Sequence, residues 1–64
     1  MILDIQKIML ASADKKMNWN ELLKHTRISS VTLERIKHGR PVQMKTAGKL
    51  AEVLGVSVSE LLKV

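Results

Sequence analysis

Apolar positions recur along this chain with the period of an α-helix rather than that of a strand. Ile2, Ile5, Ile8 and Met9 predict an amphipathic helix from Ile2 to about Ala13, with Asp4 in its first turn favouring the helix dipole. Asp14-Lys15-Lys16 then reads as a polar connection. A second helix, from about Trp19 to His25, turns Leu22 and Leu23 inward. A third, from about Ser30 to Lys37, turns Leu33 and Ile36 inward. Ala47, Leu50, Ala51 and Leu54 stand at i, i+3, i+4 and i+7 and define a fourth helix over about Met44 to Leu54. A short last helix after Gly55 closes at Leu62 or Lys63. The pattern predicts one compact all-α domain of five helices over residues 1–64.

The boundary signals are local and repeat. Asn18 can cap the second helix by accepting from first-turn N–H groups. Glu21, three residues on, can return the bond as in a capping box, while Met17 and Leu22 stand where a hydrophobic staple closes. Ser29 caps the third helix with Ile28 and Leu33 as its staple, and Ser57 with Glu60 repeats the box, flanked by Val56 and Leu61. The fourth helix has no such mark, and its start falls near Gln43 or Thr46. Gly39-Arg40-Pro41 is the strongest break, because Gly accepts positive φ and Pro cannot continue a helix. Gly48, inside the fourth helix, predicts a close backbone approach, since Gly there costs about 1 kcal/mol relative to Ala. Two short capped helices joined through His25-Thr26-Arg27-Ile28 form a helix-turn-helix unit.

Length and charge narrow the function. A chain of 64 residues buries only about 60% of its unfolded surface, which gives it one core and no enclosed substrate pocket. It has no cysteine, hence no disulfide framework and no thiolate metal site. The longest apolar run, Ile8-Met9-Leu10-Ala11, is far short of the ~20 residues of a membrane span. The amino terminus lacks the basic segment of a secretory signal, so a cytoplasmic location is expected. The net charge of +5 is unevenly spread. Residues 1–23 balance at zero, and the tail from residue 50 carries −1. Between them, seven cations (Lys24, Arg27, Arg35, Lys37, Arg40, Lys45 and Lys49) face Glu34 alone, a net of +6. A basic excess placed on one stretch implies a polyanionic partner.

The catalytic inventory is thin. His25 and His38 each stand near a helix end, where a His ring serves free carbonyls or the dipole. Ser29 and Ser57 are accounted for as caps. With no paired base, no phosphate-cradling glycine loop and no metal-ligand cluster, neither an enzyme nor a cofactor or metal site is expected. The third helix differs. With Leu33 and Ile36 inward, Ser29, Ser30, Val31 and Thr32 occupy its first turn, the part such a helix presents to base edges in a major groove. Val31, apolar on a polar face, suits a thymine methyl, and Arg35 one turn on suits the O6 and N7 of guanine.

The stretch from Met17 to Arg40 resembles the helix-turn-helix of the phage Cro and repressor amino-terminal domains, a large group of small bacterial regulators with the lambda-repressor-like fold. Leu22, Leu33, Ile36, Gly39 and the run Leu54-Gly55-Val56-Ser57 stand where that family places them, and the resemblance covers essentially the whole chain. It implies a DNA-binding transcriptional regulator whose third helix enters the major groove of double-stranded DNA. It also implies phosphate contacts from the start of the second helix and the loop after the third, here Asn18, Trp19, Arg40 and Lys45, with Lys37 added from the basic stretch. The chain departs from the family pattern at four places: Trp19 for a common glutamine, Leu23 for a small residue, Arg27 for the turn glycine, and Lys37 at a position usually acidic. Val56, Val58, Leu62 and Val64 offer more apolar surface than a short helix needs, so they are expected to form the interface of a weak homodimer. The rival expectation is the same fold used as a protein-interaction module, an antirepressor or antitoxin, because the first turn of the third helix holds no Asn or Gln.

Overall fold

Side-chain caps set where the helices begin, and left-handed residues set where they end. In the computed structural model, which describes residues 1–63, α1 runs over Ile5–Asp14, α2 over Trp19–Thr26, α3 over Ser30–Lys37 and α4 over Met44–Leu54. A single 3₁₀ turn, Val58–Leu61, follows. Four α-helices and this turn form the expected all-α domain. Asn18 and Glu21 close the capping box on α2, with Asn18 Oδ1 accepting from the Glu21 N–H at 2.9 Å and Glu21 Oε1 from the Asn18 N–H at 3.2 Å. Ser29 Oγ accepts from the Thr32 N–H at 3.2 Å. Glu60 Oε2 accepts from the Ser57 N–H at 3.0 Å, and Met17, Ile28 and Val56, the residues preceding Asn18, Ser29 and Ser57, lie half-buried against the core.

Each α-helix ends in or next to a left-handed residue, and two of these are not glycine: Lys16 and Arg27, both with φ +58°, join Gly39 at +72° and Gly55 at +69°. After α3 the Arg40 N–H bonds the Arg35 carbonyl (2.9 Å) and the Gly39 N–H that of Ile36 (3.0 Å), the paired bonds of a Schellman motif. Met17 to Ser12 with Lys16 to Ala13 repeats it after α1, and Val56 to Ala51 with Gly55 to Glu52 after α4. Arg27 makes the simpler form, one bond from its N–H to the Leu23 carbonyl at 2.9 Å. The buried Thr26 hydroxyl is satisfied by the Leu22 carbonyl at 2.7 Å, and no buried side-chain polar atom of the described residues lacks a partner.

Leu22 from α2, Leu33 and Ile36 from α3, and Ala47, Leu50, Ala51 and Leu54 from α4 share one buried cluster with Leu3, Ile8 and Leu61. Leu3 marks the main difference from the pattern-based reading. α1 begins at Ile5, not Ile2, and Asp4 is its cap rather than part of its first turn, accepting from the Gln6 N–H at 2.9 Å. The residues before it are extended and pair with the end of the chain. The Lys63 N–H bonds the Ile2 carbonyl (3.0 Å), the Asp4 N–H bonds that of Leu61 (2.8 Å), and Leu3 and Leu62 form an antiparallel bridge. Val42, in the loop after α3, adds a bond from its N–H to the Met1 carbonyl at 2.8 Å. In this extended backbone successive side chains point to opposite sides, which buries Leu3 at 1% exposure and leaves Ile2 outside. The same pairing holds Leu62 extended, so the last element stops as a 3₁₀ turn instead of continuing as an α-helix.

Gly48 has no close neighbour: a Cβ placed there meets nothing within 4 Å. The expected backbone approach is absent, and its helix-propensity penalty has no compensating contact. Gly48→Ala should therefore raise stability by about 0.5–1 kcal/mol, read from the urea midpoint; a lower midpoint would show a contact at that site. Arg27→Gly should relieve the left-handed strain of about 1–2 kcal/mol, less the entropy that a more flexible unfolded chain adds. A melting temperature at or below that of the parent would contradict this.

Candidate nucleic-acid interface

The burial of Leu33 and Ile36 fixes which face α3 presents to solvent. Ser29, Ser30, Val31 and Arg35 are exposed and Thr32 is half-buried. Val31 is 60% exposed, an apolar side chain with nothing of its own fold to cover it. The Ser29 and Thr32 hydroxyls lie 3.0 Å apart and bond each other, which fixes their orientation and leaves Ser30 as the uncommitted hydroxyl of the first turn. Arg35 lies one turn beyond.

The tertiary fold brings further groups to Arg35. Thr32 and Arg35 from α3 line an open polar cleft of about 250 Å³ with Pro41, Val42, Gln43 and Thr46 from the loop and the start of α4. Arg35 also borders a neighbouring recess with Arg40 and Pro41. Gln43 is the N-cap residue of α4 but makes no side-chain cap bond, so no cap side chain accepts from the first-turn N–H groups of α4. Arg35 and a helix start without a side-chain cap therefore adjoin one concavity, with Arg40 in the recess next to it, an arrangement suited to a phosphate oxygen. Lys45, in that first turn, is exposed. Gln43 and Thr46 had appeared in the sequence only as possible helix boundaries. Their place beside Arg35 depends on how the loop folds back, and no local signal shows it.

The start of α2 is differently built. Asn18 Oδ1 is engaged by the capping box, and the Glu21 carboxylate lies at the same helix end. That negative charge opposes a phosphate there, although the Asn18 amide N–H₂ is not used by the cap. Trp19 is half-buried. It lines a shallow open cavity of about 230 Å³ with Met9, Ser12 and Ala13 of α1 and with Met17 and Asn18. On its other side the Lys37 ammonium lies 5.2 Å from the ring centroid. Lys37 also bonds Glu34 Oε1 at 3.3 Å, and Glu34 Oε2 lies 3.8 Å from His38 Nε2. The lone carboxylate of the basic stretch is thus paired with Lys37, and its effect on the local potential is reduced. Exposed pairs of this kind contribute at most about 1 kcal/mol to stability.

Among the described residues no group of acidic, His or Cys side chains could hold a metal ion, and no helix is long and apolar enough to cross a membrane. Val56, Val58 and Leu62 are half-buried and packed on their own core, while Val64 lies outside the described residues.

A family model for the Cro/C1-type helix-turn-helix DNA-binding domain matches residues 5–64. The chain belongs to this family. Comparison with curated proteins and with solved structures gave no match. The matched span starts at the first residue of α1, so the extended segment that ties Val42 to the chain end lies before it. In this Cro/C1-type domain, Lys37, at the position expected to be acidic, meets the ring of Trp19, itself a departure from the usual glutamine. The two departures make one contact between α2 and α3. A double-mutant cycle with Trp19→Leu and Lys37→Gln should give a coupling of about 0.5–1 kcal/mol in thermal unfolding. Strict additivity would show that the two residues do not interact.

Proposed function

We propose that the protein is a sequence-specific transcriptional regulator that seats the first turn of α3 in the major groove of an operator, acting as a weak homodimer. The observation that carries this reading is the surface around Arg35: an exposed first turn with Val31 uncovered, next to one recess shared with Arg40 and another shared with the start of α4, which has no side-chain cap. Each part has a distinct task. Ser29, Ser30 and Thr32 offer hydroxyls that bond several base or phosphate atoms and discriminate little. Val31 fits a thymine methyl, and Arg35 can bond guanine O6 and N7 together. Arg40, Lys45 and the first-turn N–H groups of α4 would hold the sugar-phosphate backbone and set the register of α3. Asn18, Trp19 and Lys37 would supply backbone contacts on the other side of the unit, weaker ones because Glu21 and Glu34 lie close by.

Comparing two substitutions on specific and random DNA tests this division. Arg35→Ala should cost about 1–3 kcal/mol on the preferred site and much less on random DNA, because a base-specific contact is lost. Lys45→Ala should weaken both DNAs alike and lower the salt slope by about one, because one fewer counterion is released. Both variants binding every DNA as the parent does would overturn the reading and direct attention to a protein partner, such as that of an antirepressor or antitoxin.

A further inference from the structure

The loop at residues 41–43 helps to line both hollows beside Arg35, yet its own stretch of backbone does little to hold it. The Schellman bonds after α3 end at the Arg40 N–H, and the first helical bond of α4 runs from the Ala47 N–H to the Gln43 carbonyl at 3.1 Å. Pro41, between them, has no N–H to donate. Among the described residues, the one backbone link from this loop to another segment is Val42 with Met1, the Val42 N–H bonding the Met1 carbonyl at 2.8 Å. Pro41, Val42 and Gln43 line the cleft with Arg35, and Pro41 also borders the recess that Arg35 shares with Arg40. Two guanidinium groups around one recess repel each other, which pushes the loop away from α3. A hold on Val42 opposes that push.

We propose that the extended segment over residues 1–3 is a positioning element for DNA binding, a brace that transmits the hold of residues 61–63 to Val42. It sets the hollows beside Arg35 before DNA arrives, and in this it rests on the function proposed for α3. Extended backbone turns successive carbonyls to opposite sides. The Met1 carbonyl faces Val42, while the Ile2 carbonyl faces the other way and accepts from the Lys63 N–H at 3.0 Å. On that same side the Asp4 N–H bonds the Leu61 carbonyl at 2.8 Å. This pairing is firmly anchored. Leu3 and Leu61 are each 1% exposed in the core, and Lys7 of α1 donates from Nζ to the Leu62 carbonyl at 2.9 Å. The segment therefore lies between a fixed stretch of chain and the loop, and Met1 and Ile2 act through Val42. A loop already held in place loses less freedom when DNA binds it. By linkage the effect is reciprocal: DNA that favours the braced loop also tightens the brace, by the same factor. The family match begins at Ile5, so the brace is built from residues that precede the matched span.

DNA affinity and amide hydrogen exchange of the full chain test the brace. Lys63→Pro removes the N–H that holds the Ile2 carbonyl, and Leu62, extended at ψ 141°, already has the backbone that a following proline requires. Lys63→Gln loses the same charge and keeps the N–H. Lys63→Pro should bind the preferred site about two- to tenfold more weakly than Lys63→Gln, the factor that one net hydrogen bond supplies. Its salt slope should be unchanged, because no phosphate contact is lost, and its Val42 N–H should exchange faster. In the parent, DNA should slow exchange at the Lys63 N–H, a measurement that decides the matter even where Lys63→Pro fails to fold. A pairing that is structural only would lower the melting temperature of Lys63→Pro and leave its affinity equal to that of Lys63→Gln. Equal affinities, or Lys63 exchange that DNA leaves unchanged, overturn the brace while the DNA-binding reading stands. A parent that binds no DNA overturns that reading and the brace with it.

Discussion

The shared burial of Leu22, Leu33 and Ile36 with the apolar face of α4 is the interaction on which the rest of this domain depends. A chain of 64 residues has little hydrophobic surface to spare, and these side chains serve two purposes. They hold the short helices α2 and α3, neither of which would be stable alone, and they fix the rotation of α3 about its axis. That rotation decides that Val31 and Arg35 face outward. The left-handed Arg27 and the internally bonded Thr26 then turn the chain between the two helices without leaving a buried side-chain polar atom unpaired.

Stability and recognition overlap least at the recess beside α4. Helix starts in this chain generally have a side-chain acceptor: Asp4 on α1, Asn18 on α2 and Ser29 on α3. α4 lacks one, so its first turn keeps the positive end of its dipole available while Arg35 borders the cleft at that helix start and Arg40 the recess next to it. The loop that shapes this recess is held from behind by the Val42–Met1 backbone bond, and the extended segment continues to Leu61 and Lys63. The basic surface around this recess is thus supported by backbone pairing, which salt weakens much less than it weakens surface ion pairs.

Much of the fold was legible because its signals are local. Asn18 with Glu21, Ser29 with its Ile28–Leu33 staple, and the glycines at 39 and 55 act within three to five residues, and the helices they bound appear close to where those residues place them. The extended start was not legible. Ile2, Ile5 and Ile8 fit a helical period, and the competing pairing of residues 2–4 with 61–63 is distant in sequence. The left-handed Lys16 was missed because its side chain carries no preference for that conformation, which the Schellman bonds after α1 impose. For the interface, residue types were informative and arrangement was not. Arg35 and Val31 could be singled out on α3 alone, whereas Gln43 and Thr46 reach Arg35 only through the fold of the loop. Trp19 and Lys37 looked like two separate departures and turn out to be neighbours.

The claim that α3 reads DNA from the major groove is tested most directly by dimethyl sulfate footprinting on the tightest site selected from a random-sequence pool. The reagent methylates guanine N7 in the major groove and adenine N3 in the minor groove. The account predicts protection of guanine N7 within the bound site, with that protection lost in Arg35→Ala while the backbone contacts persist. Protection confined to adenine N3, or bound DNA with every guanine N7 still reactive, would contradict it.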